Sequence, residues 1–120
     1  MTRQRVVMRF EDGADYWGLG PLVKRLVHPT TTGSDQLGVS VCLMKPGEEV
    51  RRHRHPYEEA YFVVRGRGTM SLEDDTIELV PDLTVYIPSN WYHGQKNTGD
   101  DELVILCSLA PPPPVNPEYR

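Results

Sequence analysis

Residues 47–66 read GEEVRRHRHPYEEAYFVVRG, and no other part of the chain is as informative about its chemistry. Two histidines, His53 and His55, stand two positions apart, and Glu59 follows after a bend at Pro56. Residues two apart on a strand project from the same face, so both imidazoles are predicted to point the same way. Glu59 begins the next predicted strand, so its carboxylate can join that face from a neighbouring position.

A third histidine is predicted to complete this group. His93 follows the turn-forming residues 88–90 and stands at the start of another predicted strand. Three imidazoles and one carboxylate that converge inside a β-structure form a site for a divalent first-row metal. We therefore predict that one ion is bound by His53, His55, Glu59 and His93.

The rest of the chain reads as short β-strands separated by turns. Ten glycines and eleven prolines interrupt it, and no window keeps an apolar stripe at helical spacing. The predicted strands are Val6–Phe10, Leu22–Val27, Leu37–Met44, Val50–His55, Ala60–Val64, Thr69–Leu72, Thr76–Leu79, Thr84–Ile87, His93–Asn97 and Leu103–Leu109. Many short strands with regular turns are typical of a sandwich or barrel, so the fold class is all-β.

Size and composition indicate one ordinary globular domain. With 120 residues, 38% hydrophobic and 25% charged, the chain has room for a single hydrophobic core. We assign residues 1–110 to the barrel and residues 111–120 to a proline-rich tail. The four consecutive prolines from Pro111 to Pro114 favour extended polyproline II, and no chemistry is expected of the tail.

Charge and hydropathy argue against two classes of partner. The 13 basic and 17 acidic residues give a net charge of −4 without a basic stripe, which disfavours nucleic acid as a partner. No apolar run approaches the ~18 residues that a membrane span needs, and residues 1–10 lack the apolar centre of a signal peptide. Cys42 and Cys107 lie in apolar runs and are predicted to be buried free thiols, so a cytoplasmic location is expected.

Two motifs in the chain resemble those of the cupin superfamily. The first family motif, G-x5-H-x-H-x3-E-x6-G, is matched at every fixed position from Gly47 to Gly66. The second, G-x5-P-x-G-x2-H-x3-N, has Asp82 and Asn90 where the family has glycines, and both residues tolerate left-handed turns better than most. Its remaining fixed positions are matched by Pro88, His93 and Asn97.

The resemblance covers residues 37–109 and implies a fold, a cofactor and an assembly. The fold would be the cupin double-stranded β-helix, a jelly-roll-like β-barrel of one domain. The cofactor would be one divalent transition metal, with iron, manganese, zinc, nickel and cobalt all compatible with the ligand set. Small members of the family commonly dimerise through outer faces, and the outward apolar residues Ala60, Phe62 and Val64 fit a homodimer.

The alternation of side chains along the predicted strands also indicates candidate residues for contacts with a small-molecule substrate. Arg51 shares the predicted face of His53 and is a candidate for binding a substrate carboxylate. Tyr86 flanks the second motif and is a candidate for a contact at the rim. His28, the fourth histidine, is expected at the surface.

Two further side chains are candidates for proton transfer or orientation near the ion. Tyr61 shares the predicted face of Glu59, and either residue is a candidate catalytic group that carries a proton. Gln95 shares the face of His93 and is a candidate for orienting a bound oxygen atom.

Three functions stay open on the sequence alone. The favoured one is redox-neutral Lewis-acid chemistry on a carbonyl or carboxylate compound, as in an isomerase, lyase, decarboxylase or cyclase. The second is a metal-dependent dioxygenase of diketone or phenolic substrates, and the third is a metal-dependent small-molecule-binding protein without catalysis. The polar candidates Arg51, Tyr61 and Gln95 favour the first.

Overall fold

The computed structural model describes residues 4–118 and builds them from ten β-strands and one 3₁₀ turn, Phe10–Asp12. The strands are β1 (Ala14–Tyr16), β2 (Leu22–Val27), β3 (Gly38–Met44), β4 (Glu49–His53), β5 (Glu58–Arg65), β6 (Gly68–Leu72), β7 (Asp75–Leu79), β8 (Thr84–Ile87), β9 (His93–Asn97) and β10 (Leu103–Ala110). In the described residues we find no helical segment with the length and hydrophobicity that a bilayer crossing requires.

The strands form two antiparallel sheets. Six strands pair in the order β1-β2-β3-β10-β5-β8, and four pair in the order β4-β9-β6-β7. The chain crosses between the sheets after β3, β4, β5, β7, β8 and β9, so the pairs β3–β10, β5–β10 and β4–β9 join distant parts of the sequence. The predicted all-β, jelly-roll-like architecture is confirmed.

The hydrophobic core lies on the inner faces of the sheets. Residues of β3 alternate between buried and partly exposed along its whole length, as expected for a strand with one covered face. Fully buried core side chains are contributed by both sheets and include Met44, Val63, Met70, Leu79, Ile87, Leu103 and Ile105. The interior also buries a group of polar side chains, which forms the candidate site described below.

The prediction of a strand at Val6–Phe10 is wrong. Val6 and Val7 are 66% and 78% exposed, and the edge position beside β2 is taken by β1 instead. An ion pair of 2.6 Å between Asp15 and Lys24 joins β1 to β2. The two valines suggested a strand, but a strand needs a hydrogen-bonding partner, and the edge of β2 is already paired.

The two departures from the second motif keep the turns that glycine would make. Asp82 has φ of 72° and Asn90 has φ of 65°, so both adopt the left-handed conformation. Gly47 and Gly66 of the first motif also have positive φ. The expectation that Asp82 and Asn90 preserve the turns is confirmed.

Residues 111–118, here named the C-terminal strap, pack against β2. The Arg25 guanidinium donates through Nη1 to the carbonyl of Val115 (2.7 Å) and through Nη2 to that of Pro114 (3.2 Å). His28 donates from Nε2 to the carbonyl of Pro113 (2.8 Å). His28 is 1% exposed, so its expected surface location is wrong: its second ring nitrogen also has a partner, and the strap covers it.

Candidate metal centre

Four predicted ligands come from three strands and one loop. His53 is the last residue of β4, His55 lies two residues beyond it, and Glu59 is the second residue of β5. His93 is the first residue of β9 and lies directly opposite His53 in the pairing of β4 with β9. All four side chains are buried.

A β-bulge in β4 changes which of its residues face inward. Val50 pairs with Gln95 and His53 pairs with His93, so β4 holds one extra residue between these positions. Val50 and His53 are therefore both buried, whereas Arg51 is exposed. The inference that Arg51 shares the face of His53 fails for this reason, and Arg51 instead lines a depression beside His53 at the mouth of the site.

The backbone fixes the orientation of all three imidazoles. Nδ1 of His53 lies 2.7 Å from the carbonyl oxygen of Arg51, Nδ1 of His55 lies 2.9 Å from that of Tyr57, and Nδ1 of His93 lies 2.9 Å from that of Trp91. A carbonyl only accepts, so these contacts assign the proton to Nδ1 in each ring. In a neutral ring Nε2 then carries the lone pair, which is the form in which histidine binds a metal.

The ring nitrogens of the three histidines meet at one place. One nitrogen from each of His53, His55 and His93 lies within 4.8 Å of the others. Oε1 of Glu59 lies 3.1 Å from Nε2 of His55 and 3.5 Å from Nε2 of His93. Within the described part of the chain, the buried Nε2 of His93 has no hydrogen-bond partner.

These observations test whether the residues fit a metal ion. A buried nitrogen left without a partner costs about 1–3 kcal/mol, and a cation at the centre of the cluster would satisfy it. Three neutral imidazoles beside one carboxylate are a donor set for zinc, iron, manganese, nickel or cobalt. The His53, His55 and His93 cluster can hold such an ion.

Electrostatics keep the cluster in the form that binds cations. Burial lowers the pKa of His53 to about 4, despite the opposing hydrogen bond to the Arg51 carbonyl. Burial alone would raise the pKa of Glu59, but the adjacent imidazoles of His55 and His93 outweigh it, and the pKa of this carboxyl lies below its usual range. At neutral pH His53 is therefore uncharged and Glu59 is ionised.

A cavity opens beside the cluster, and the structure brings Tyr61 and Gln95 to its wall. Tyr61 donates from Oη to Oε1 of Gln95 over 3.2 Å. Burial, followed by the nearby charge of Glu59, raises the pKa of Tyr61 well above its usual value, so the phenol keeps its proton. The cavity is lined by His53, His55, Glu59, Tyr61, Gln95, Tyr16, Leu19, Val23, Arg25, Ser40, Cys42, Val50, Cys107, Leu109 and Pro113.

The structure does not bring Tyr86 to the cavity. Its side chain lies on the outer face of β8, is 56% exposed and donates a hydrogen bond to the carboxylate of Glu58. In β8 the buried residues are Val85 and Ile87, so the side chain of Tyr86, which lies between them, points away from the interior. Its predicted substrate contact has no support from this position.

Several cavity residues were missed by the sequence reasoning. Tyr16 lies on β1, which was not predicted, and Pro113 lies on the strap, which was expected to carry no chemistry. Arg25 and Ser40 lie opposite each other on β2 and β3. The one available signal was the adjacent pair Lys24 and Arg25 inside an otherwise apolar strand, because one of two successive strand residues faces the interior and a charged residue there needs a polar environment.

Comparisons with known proteins agree with this geometry. A family model described as Cupin domain matches residues 40–109. Polyketide synthase CurC of Streptomyces cyaneus is 33% identical over 90 residues, which cover 74% of this chain and 58% of CurC. Protein SchB of Streptomyces halstedii is 32% identical over 113 residues, which cover 92% of this chain and 82% of SchB.

A solved structure extends the comparison to the whole described fold. The polyketide cyclase RemF from Streptomyces resistomycificus has a TM-score of 0.78 at 20% identity, over 99% of this chain and 84% of RemF. At that identity the likeness shows a shared fold. The family model and the similarity to SchB show membership in a family as well as a shared fold. The chain therefore belongs to the cupin family.

Proposed function

We propose that this chain is a metal-dependent enzyme that catalyses a redox-neutral reaction on a carbonyl compound, with ring closure of a poly-β-carbonyl chain as the favoured case. One observation carries the proposal: a carboxylate and a phenol, Glu59 and Tyr61, face one cavity beside three imidazole nitrogens. The similarity to a polyketide synthase and to a polyketide cyclase favours ring closure over other reactions of this class.

The proposed ligands are His53, His55, Glu59 and His93. When bound, the ion would act as a Lewis acid that polarises a substrate carbonyl. The chain's own contribution is orientation, because the hydrogen bonds from Nδ1 to backbone carbonyls aim each Nε2 at the centre.

Glu59 and Tyr61 are proposed to share the proton transfer. Glu59 is ionised and can accept a proton from a substrate carbon next to a carbonyl group. Tyr61 keeps its proton on Oη, held toward Gln95, and can donate to the oxygen of the attacked carbonyl. Ring closure forms one carbon–carbon bond and moves one proton from carbon to oxygen, so no oxidant is consumed.

The test combines metal analysis with assays in air and under argon. We expect bound transition metal in the purified protein and conversion of linear β-triketones, which can close a six-membered ring, at equal rates in both atmospheres. The Tyr61→Phe variant should keep its metal and lose about 10²–10⁴-fold in kcat. Oxygen uptake that matches conversion would contradict the proposal in favour of a dioxygenase, and metal-dependent binding without conversion would favour a binding protein.

We also propose that the chain acts as a homodimer that pairs the outer faces of the six-stranded sheet. Phe62 and Val64 of β5 are 39% and 48% exposed there, and Tyr86 of β8 lies opposite Ala60 on the same face. Partly exposed Val41 and Leu106 occupy the same row as Phe62 on the neighbouring strands. A second copy of the same apolar face is the occupant that fits this surface without charged partners.

A further inference from the structure

We infer that the substrate of the proposed function, on which this inference rests, carries a carboxylate that Arg51 binds at the mouth of the site. The site then has two parts. The inner cavity beside the histidine cluster takes the reacting carbonyl, and a depression at the mouth takes the rest of the molecule. The substrate class is thereby narrowed to carbonyl compounds whose body bears a carboxylate.

The inner cavity is too small to hold a whole substrate. Its free space is about 40 Å³, which is room for about three water-sized groups. Pockets that enclose small-molecule ligands usually measure about 300–1,000 Å³. Only the reacting end of a substrate therefore fits beside the cluster, and the remainder of a larger molecule has to lie outside it.

The depression beside His53, here named the mouth depression, offers the space that the inner cavity lacks. Its free volume is about 390 Å³. It is lined by Tyr16 of β1, Gly18 and Leu19 of the turn after β1, residues 51–53 of β4 and Pro117 of the strap. Tyr16, Leu19 and His53 line the inner cavity as well, so the two spaces adjoin at a proposed metal ligand. A molecule seated in the mouth depression can reach the cluster with one end.

The mouth depression carries positive charge. Arg51 and Arg52 line it, and among the described residues no aspartate or glutamate does. The whole chain has a net charge of −4, so this is a local basic region on an acidic protein. A guanidinium stays protonated at physiological pH and offers a carboxylate two parallel N–H donors. The mouth depression therefore favours an anionic ligand over a neutral one.

The two arginines differ in whether protein groups already engage them. Arg52 donates from Nη1 to the carbonyl of Glu73 (2.7 Å), has Nη2 3.9 Å from the carboxylate of that residue, and lies 4.9 Å from the centre of the Tyr92 ring. Within residues 4–118, the side chain of Arg51 makes no hydrogen bond, ion pair or ring contact. Arg51 is therefore the guanidinium that is open to a ligand.

The bulge in β4 gives Arg51 this position next to the cluster. Its side chain leaves the interior, while its carbonyl oxygen accepts the hydrogen bond from Nδ1 of His53 (2.7 Å). Two residues of a strand span roughly 6 Å, close to the length of one benzene ring with a substituent at either end. The side chains of Tyr16, Leu19 and Pro117 favour such an aromatic body between the carboxylate and the reacting carbonyl.

A surface charge that only aids solubility is the alternative role for Arg51. That role predicts no contact with a ligand and the same effect from the removal of either arginine. Arg52→Gln is the matched control, because it removes the same charge from the same depression but takes away a guanidinium that the protein already engages. Arg51→Gln changes an exposed side chain, so the variant should keep its metal and the unfolding temperature of the wild type.

The experiment compares two probes of one shape and different charge. 4-Carboxybenzohydroxamic acid carries a carboxylate across the ring from a metal-chelating hydroxamate, and 4-carbamoylbenzohydroxamic acid carries a neutral amide there. Calorimetry in low-salt buffer measures the Kd of both probes for zinc-loaded and metal-free protein. We expect wild type to bind the carboxylated probe about fivefold more tightly than the amide, Arg52→Gln to keep most of that preference, and Arg51→Gln to abolish it.

The other outcomes separate the inference from the proposed function. Equal affinity of wild type for the two probes, binding of neither probe, or a preference that survives in Arg51→Gln would overturn the inference. So would an equal loss of preference in Arg51→Gln and Arg52→Gln, because that pattern belongs to a general surface charge. Affinities that do not change when zinc is removed would count against the proposed function alone, provided that Arg51→Gln still abolishes the preference for the carboxylated probe.

Discussion

The four histidines of this chain differ in the nitrogen that carries the proton. His28 donates from Nε2 to a strap carbonyl and accepts at Nδ1 from the backbone N–H of Thr30 (3.2 Å). The three clustered histidines show the opposite arrangement, with Nδ1 bound to a carbonyl. The protein therefore contacts both nitrogens of His28, whereas in the clustered rings Nδ1 contacts the backbone and Nε2 of His55 and His93 faces the carboxylate of Glu59.

This difference predicts the metal content of single variants. His93→Ala or His53→Ala should reduce bound metal from about one ion per chain to near zero, because two imidazoles hold a divalent ion poorly. His28→Ala is the matched control and should keep its metal. Plasma mass spectrometry of the purified variants measures both results, and full metal retention by His53→Ala and His93→Ala would contradict the assigned ligands.

The two cysteines should be inert in the folded protein. Burial, with the nearby charges of Glu59 and Glu48, raises the pKa of Cys42 to about 12, and burial raises the pKa of Cys107 well above its usual value. Only a thiolate fraction of ~10⁻⁴ is then present for Cys42 at pH 8, and alkylation requires the thiolate.

We therefore expect iodoacetamide at pH 8 to modify neither Cys42 nor Cys107 in native protein. Both should react within minutes in concentrated urea, which serves as the control for reagent activity. Mass spectrometry of intact protein counts the added groups. Rapid native modification at either position would show that the cavity wall opens.

At the scale of single elements, the turns of the first motif differ in how tightly they are packed. Gly66 has φ of 89°, and an added Cβ would lie 2.5 Å from the carbonyl oxygen of Glu102. Gly47 has φ of 84°, but nothing lies within 4 Å of its Cβ position. Gly66 is therefore required both by its backbone conformation and by the lack of space for a side chain, whereas Gly47 is required by its conformation alone.

Replacing each of these two glycines with alanine should therefore lower the free energy of unfolding by different amounts. Gly66→Ala is expected to lower the free energy of unfolding by about 2–4 kcal/mol, because strain and a backbone clash add. Gly47→Ala should cost about 1–2 kcal/mol from strain alone. Urea denaturation of both variants measures the difference, and equal costs would show that the chain around Glu102 relaxes freely.

The elements also show what sequence reasoning reaches and what it misses. The motif spacing predicted the clustering of His53, His55 and His93, and the strand pattern predicted nine of the ten strands, since both depend on local alternation and turn residues. The bulge in β4 was missed because it involves the pairing with β9, where the strands lie so close that an added Cβ on Gly94 would be 2.8 Å from the carbonyl oxygen of Val50. Pairing of this kind is not visible within one strand, and neither is the strap's contact with Arg25 and His28.

At the scale of the whole molecule, the proposed dimer predicts the effect of one surface charge. Phe62→Glu should convert the homodimer to a monomer, because a carboxylate buried against a second copy without a partner is strongly unfavourable. Val7→Glu is the control, since Val7 is 78% exposed and lies outside the sheet face. Analytical ultracentrifugation distinguishes the states, and a wild-type monomer or a dimeric Phe62→Glu variant would exclude this interface.

The hydrogen bonds that orient the clustered imidazoles have one more consequence, for how such a protein can diversify. Their acceptors are main-chain oxygens of Arg51, Tyr57 and Trp91, and main-chain atoms persist through any substitution that preserves the local backbone. Selection can thus exchange the side chains around the cavity, and with them the molecules accepted, without loosening the rings that are proposed to hold the ion. In such a scaffold the backbone orients the proposed metal-binding rings and the cavity side chains select the substrate, so new reactions can arise through changes in the side chains alone.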